Sequence, residues 1–286
     1  MRWQYYPTTF VTLLVGISIS IHKVFSVDTV MWMILGNFLL HCACSLINEY
    51  RDFVKGADLV EYPEVSWKAT GGSKVLVDHL IRPGNVLIVS LLLFSFSSSI
   101  FVFLALKQEN TVVLMVTFSL GVTFLYSAAL SKGGFYYIRE VLLTLGAVPL
   151  FVVSVVRILS GEYSLAAVTA GIVVGILMMN YLVYHGLIDI EADKRSGKLR
   201  FTRVLGLQRT LQISELLTTG AFVILAVSLY FGVLPRECIL CLVLIPLAVK
   251  ILFAEMRKND LLSIYKEVVL LLLVGALLLS AGFWLS

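Results

Sequence analysis

Two short acidic segments carry the residues of this chain whose spacing can do chemistry. The first runs Asn48-Glu49-Tyr50-Arg51-Asp52 and continues to Gly56 and Asp58. Asn48 and Asp52 are four apart, so on a helix they share a face. Gly56 can end that helix and let Asp58 turn back toward the same side. The second segment runs from His185 to Asp193, with Asp189 and Asp193 again four apart and Glu191 pointing elsewhere. Oxygens gathered in this way suit hard divalent cations, and magnesium takes a few carboxylates together with phosphate oxygens. Basic residues crowd both segments: Arg51, Lys55, Lys68, Lys74, Lys132 and Lys194. They would weaken a bare cation site. They would strengthen the hold on a ligand with its own negative charge, such as a diphosphate. The plainer alternative has these acids capping helix ends and meeting lipid headgroups. Two such motifs, each followed by a basic connector, favour the site.

The elements that position these residues follow from composition. Of 286 residues, 59% are hydrophobic and 14% charged, against about 25% charged in soluble domains. That excludes a soluble enzyme, a disordered chain and a secreted disulfide scaffold. A net charge of +4 with no concentrated basic stripe argues against a nucleic-acid partner. A bilayer-crossing helix needs about 20 apolar residues. Nine runs approach this: 8–25, 29–50, 84–106, 110–131, 136–158, 163–188, 211–231, 236–256 and 264–285. The expected fold is an all-α polytopic membrane protein. Nine transmembrane helices surround a central cavity, polar in part and apolar in part, in a single domain over 1–286. The first run is broken at His22-Lys23 and no cleavage site follows it, so it reads as a retained helix, imperfectly anchored.

Nine spans alternate the connectors between two sides. Eighteen Lys and Arg fall on the side that holds connectors 51–83 and 189–210. Only Lys23, Lys107, Arg157 and Arg236 fall on the other. This bias places both acidic motifs on the cytoplasmic face of a cell membrane. Cys42, Cys44, Cys238 and Cys241 sit in apolar runs and read as ordinary membrane cysteines. Gly71-Gly72 reads as a turn, with no phosphate-loop pattern around it. Tyr5, Tyr6, Trp32, Trp67, Tyr136 and Tyr137 read as interface anchors.

These motifs resemble the UbiA family of intramembrane prenyltransferases. Asn48 to Asp58 is similar to that family's first Asp-rich motif, in the spacing of its menaquinone branch, which prenylates a dihydroxynaphthoate. Asp189 to Lys198 is similar to the second. Tyr126-Ser127, Lys132 and Arg139-Glu140 resemble the stretch joining the fourth and fifth helices. The resemblance implies an enzyme that uses magnesium and moves an isoprenyl group from an isoprenyl diphosphate to an aromatic acceptor, through an allylic carbocation. It implies Asn48, Asp52, Asp58, Asp189 and Asp193 as metal ligands, with Asp52 and Asp189 catalytic. Asn48, Arg51, Lys68, Lys74, Tyr126, Lys132 and His185 would bind substrate. Membrane lipid completes the expected partners.

The chain departs from that branch at His185 and Gly186, where an Asn pair is usual, and at Glu49, where Asp is common. His185 shares the Asp189 face, so it could bond a ligand or simply a neighbouring helix. These departures keep lipid and haem-type acceptors open. A transporter or ion-binding membrane protein is the reading from another class. Its acids would be expected near the bilayer midplane, on broken helices in inverted repeats, whereas both motifs here end helices on one side.

Overall fold

Long apolar runs have one stable form in a bilayer, the helix, because only it satisfies each backbone amide within the segment. A computed structural model describes residues 6–23, 26–56, 75–128, 136–190, 193, 200–253 and 260–286. There is no strand among the described residues. The helical rods are α1 (Tyr6–Ile19), α2 (Val27–Val54), α3 (Pro83–Leu106), α4 (Asn110–Ala128) and α5 (136–160). They continue as α6 (Leu165–Ile188), α7 (Phe201–Tyr230), α8 (236–252) and α9 (Leu261–Leu285). Among the described residues, seven helices are long and apolar enough to cross a membrane. The exceptions are α1, with 14 residues, and α8. The latter is a 3-10 stretch, Arg236–Leu244, followed by eight α-helical residues, Ile245–Leu252.

Two elements differ from their sequence patterns for local reasons. In α5 the stretch Leu142–Ala147 is π-helical and leads into Val148–Ser160. Pro149 has no N–H, and in a regular helix its ring would strike the carbonyl four residues back. Widening the helix just before it relieves that clash. The second element is α7, which starts at Phe201, ten residues before the apolar run begins. The connector is therefore partly helical, and it bends at Gly206, whose φ of 76° and ψ of 171° leave the helical region. The positive φ suits glycine.

Helix pairs are joined by small residues and short polar side chains, as packing between lipid-exposed helices requires. Between α2 and α3, Ser97 and Ser90 donate to the Gly36 and Ala43 carbonyls, both at 2.8 Å. Between α5 and α6, Gly171 and Gly175 let the backbones meet. A methyl at Gly171 would lie 2.8 Å from the Pro149 Cα, and one at Gly175 would collide with the Thr144 carbonyl. Between α6 and α7, buried Asn180 donates to Thr218 Oγ1 at 2.9 Å, and Thr218 donates on to the Ser214 carbonyl. Asn180→Leu is expected to cost about 0.6 kcal/mol and at most about 1.7, the range for such bonds within a bilayer. A small fall in the detergent unfolding midpoint checks this.

The apolar core has two main parts. One gathers α6 to α9 around Val174, Leu177, Leu271 and Leu279. The other gathers α2 to α5 around Met33, Phe101, Val116 and Val155. The expectation of a loosely anchored first helix is corrected. Val15 of α1 is in the first cluster and Leu13 in the second, both essentially inaccessible. Gly16 abuts Val155 of α5, and Trp284 of α9 donates to Ser18 Oγ at 3.0 Å. Packing on both halves compensates for a short apolar run.

Candidate functional site

The first motif ends α2. Asn48 and Asp52 are one helical turn apart, and Asn48 Nδ2 donates to Asp52 Oδ2 at 3.2 Å. Arg51 turns onto the other oxygen: its Nε donates to Asp52 Oδ1 at 3.0 Å and its Nη2 reaches the same atom. Arg51 Nη1 also donates to the Ser127 carbonyl of α4 at 3.4 Å. Arg51 and Asp52 are both buried, so each neutralises a charge that would otherwise be costly to desolvate.

The second motif ends α6. Asp189 caps the helix, and the Asp193 amide donates to the Asp189 carbonyl at 2.8 Å. That bond holds the Asp193 backbone beside Asp189. Arg200, at the N-cap of α7, spans them. Its Nη2 lies 2.8 Å from Asp189 Oδ2 and its Nε 2.8 Å from Asp193 Oδ2. Arg203 adds a bond from Nη1 to the Asp193 carbonyl at 3.1 Å. His185 Nε2 stands 3.6 Å from Asp189 Oδ2. Its ring lies against Tyr181 of α6 and Tyr265 of α9, with centroids 6.0 and 6.1 Å away.

Gly186 explains how Arg200 gets there. A methyl at this position would lie 2.6 Å from Thr202 Oγ1. The absent side chain lets the start of α7 close on the end of α6, which delivers Arg200 to the carboxylates. The glycine that departs from the menaquinone pattern thus has a packing role.

Tyr126 of α4 lies within electrostatic reach of Arg51 and Arg200, the arginines of the two motifs. The Arg139 guanidinium lies over its ring, 5.3 Å from the centroid, and Arg139 pairs with Glu140 at 3.4 Å. The start of α5, which carries this pair, packs against α4, α6 and α7. Burial alone would lower the proton affinity of Arg200. Asp193 and Asp189 reverse this and raise it above the ordinary range, with smaller contributions from Tyr126 and Asp52. The Asp52 carboxylate therefore lies within electrostatic reach of Arg200, the arginine that holds the second motif.

Of the residues singled out from sequence, Asn48, Arg51 and Asp52 come together at the end of α2, His185, Asp189 and Asp193 lie at the end of α6, and Tyr126 is within electrostatic reach of Arg51 and Arg200. Asp58, Lys68, Lys74 and Lys132 lie outside the described residues. Sequence reasoning missed Arg200, counting it only as connector charge, and it missed Tyr181 and Tyr265. Nothing local distinguishes Arg200 from the other basic residues of its connector. For Tyr181 a signal was present, since Tyr181, His185 and Asp189 follow one another at four-residue steps; nothing in the sequence links the distant Tyr265 to them.

Among the described residues no group of three His, Cys, Asp or Glu side chains surrounds one point. Each motif instead offers its own pair. The Asp189 and Asp193 oxygens converge on a single cation, the Arg200 guanidinium. Such hard, anionic, convergent donors are the kind that magnesium takes. The first motif offers one such anionic donor, Asp52, and the neutral amide oxygen of Asn48, both hard oxygen ligands.

The sequence matches the model of the UbiA prenyltransferase family over residues 9–274. No curated protein matches it by sequence. Among solved structures it is similar to the apo structure of a UbiA homolog from Aeropyrum pernix K1. The TM-score is 0.70 at 16% identity, over 100% of this chain and 98% of that one. It is similar to a UbiA homolog from Archaeoglobus fulgidus bound to GPP and Mg2+, with a TM-score of 0.64 at 13% identity over 98% of both chains. A digeranylgeranylglyceryl phosphate synthase is similar at TM-score 0.65 and 12% identity, over 96% of this chain and 92% of that one. The structural likenesses carry the fold and the family match carries the enzyme class: this multi-pass membrane protein belongs to the UbiA prenyltransferase family.

Proposed function

We propose that this chain moves an isoprenyl group from an isoprenyl diphosphate to an aromatic quinone precursor of the naphthoate type, with magnesium as cofactor. The observation that carries this is that two buried carboxylate motifs at separate helix ends are each held by an arginine, Asp52 by Arg51 and Asp189 with Asp193 by Arg200, with Tyr126 within electrostatic reach of both arginines. The Archaeoglobus homolog with GPP and Mg2+ supports the same ligand pair. Asn48, Asp52, Asp58, Asp189 and Asp193 hold the metal. Arg51, Lys68, Lys74, Tyr126, Lys132 and His185 contact substrate. When bound, magnesium supplies positive charge that stabilises the departing diphosphate.

The chain's own residues do the rest. Arg51 and the connector lysines add charge around the diphosphate oxygens. The apolar helix faces keep water from an allylic cation that water would quench. Tyr181 and Tyr265, beside the second motif, present aromatic faces of the kind that attract a cation. The acidic motifs face the cytoplasm of a cell membrane, as the charge bias of the connectors directs.

The first motif's spacing supports the naphthoate acceptor. His185 and Gly186 keep a second reading, the same transfer to a lipid or haem-type acceptor. The experiment is direct. Purified protein is given a labelled isoprenyl diphosphate and a panel of naphthoate, hydroxybenzoate, glyceryl-phosphate lipid and haem acceptors. A magnesium-dependent product on the naphthoate is expected. A product on another acceptor alone replaces the acceptor, and no product on any acceptor overturns the proposal.

A further inference from the structure

The Arg200 fork takes one oxygen from Asp189 and one from Asp193, both at 2.8 Å. These are the oxygens that the proposed function gives to a metal. A magnesium ion needs its ligand oxygens at about 2.0–2.1 Å, so on these oxygens it would stand within about 5 Å of the guanidinium, and the two cations repel and compete for the same carboxylate charge. Arg200 is not a stray surface charge. It caps α7, next to Thr202, which packs against Gly186, so its backbone stays beside the site whatever occupies the carboxylates.

We propose that Arg200 is a resident counter-ion of the second motif, displaced when metal enters and transferred to the oxygens of the incoming diphosphate. The inference rests on the reading of Asp189 and Asp193 as metal ligands. Its consequence is coupling. Metal alone must disrupt two ion-pair contacts and strand a cation in a partly buried site, which opposes binding. Metal arriving with a diphosphate gives the guanidinium a new bidentate anionic partner. Metal and diphosphate then favour one another by the same factor in both directions, as linkage requires. The carboxylates also stay neutralised between turnovers.

The test reads binding rather than turnover. Mn2+ is titrated by electron paramagnetic resonance into purified protein, alone and with inorganic pyrophosphate. In the unaltered chain pyrophosphate is expected to tighten Mn2+ by about tenfold or more, within the usual coupling range. In Arg200→Gln, Mn2+ alone is expected to bind about tenfold tighter than in the unaltered chain, with the pyrophosphate effect largely lost. Arg200→Lys keeps the charge and loses the fork, and should shift both quantities in the same direction to a smaller extent. It carries the test if the glutamine variant does not fold. Equal Mn2+ affinity and equal coupling in the unaltered chain and in the folded variants overturn the proposal. Asp189→Asn/Asp193→Asn separates the two layers. If that double variant binds Mn2+ as well as the unaltered chain, the metal assignment itself fails. If it loses Mn2+ while Arg200→Gln changes nothing, only the counter-ion role fails.

Discussion

Asp189→Asn should lower prenyl transfer by about 100-fold or more, the scale of removing one preorganised charge from a transition-state clamp, and leave a folded protein. The amide keeps the shape of the carboxylate and removes its charge. Arg200 retains Asp193 at 2.8 Å, so no buried cation is stranded. Asp52→Asn should cost as much in turnover, and it should also cost stability. Its partner Arg51 is buried and would keep a neutral amide acceptor and its bond to the Ser127 carbonyl at 3.4 Å, but lose the charge that neutralises it. Removing one side of a buried ion pair costs about 3–5 kcal/mol, and neutralising it while an acceptor remains costs less. Transfer from a labelled donor and the melting midpoint in detergent, measured on the same preparations, separate the two effects. Near-normal turnover in either variant would remove the metal assignment. Equal melting of the two would remove Arg51 as the counter-ion of Asp52.

Gly175→Leu is the structural counterpart. An added Cβ would run into the Thr144 carbonyl, which is backbone and cannot swing aside. Overpacking a tight interface costs about 1–3 kcal/mol, occasionally more. This one also joins the π-helical part of α5 to the middle of α6. The variant is expected to melt well below the unaltered chain, or to elute as aggregate in size-exclusion chromatography. Gly220→Leu on α7 is the control, since nothing lies within 4 Å of an added Cβ there. A Gly175→Leu protein that melts like the control would mean that α5 and α6 do not meet at Thr144.

What could be read along the chain was local. A four-residue step puts Asn48 under Asp52, and Asp189 under Asp193, on any helix that contains them. Apolar runs announced helices because a bilayer leaves the backbone no other partner. Pro149 was visible, but not whether the helix would kink or widen around it; the neighbouring Gly171 and Gly175 of α6 are matched to the widened form. The weak first run gave no hint that α1 would be wedged between both halves of the core, because anchoring depends on what surrounds a helix. Gly186 looked like a loss of polar chemistry. In three dimensions it is a gap that Thr202 approaches.

By itself the sequence determined that this is a helical membrane protein with two carboxylate motifs, each on a single helix face. Those properties arise from residue type and helical period, which operate over a few positions. Only the tertiary structure decided that Arg200 bridges Asp189 and Asp193, that Arg51 neutralises Asp52, and that Arg139 lies over Tyr126. Charge alone cannot select one basic side chain from many. The selection came from the close approach of α6 and α7 at Gly186 and from the seating of α5 against its neighbours, and both are contacts between segments distant in the chain.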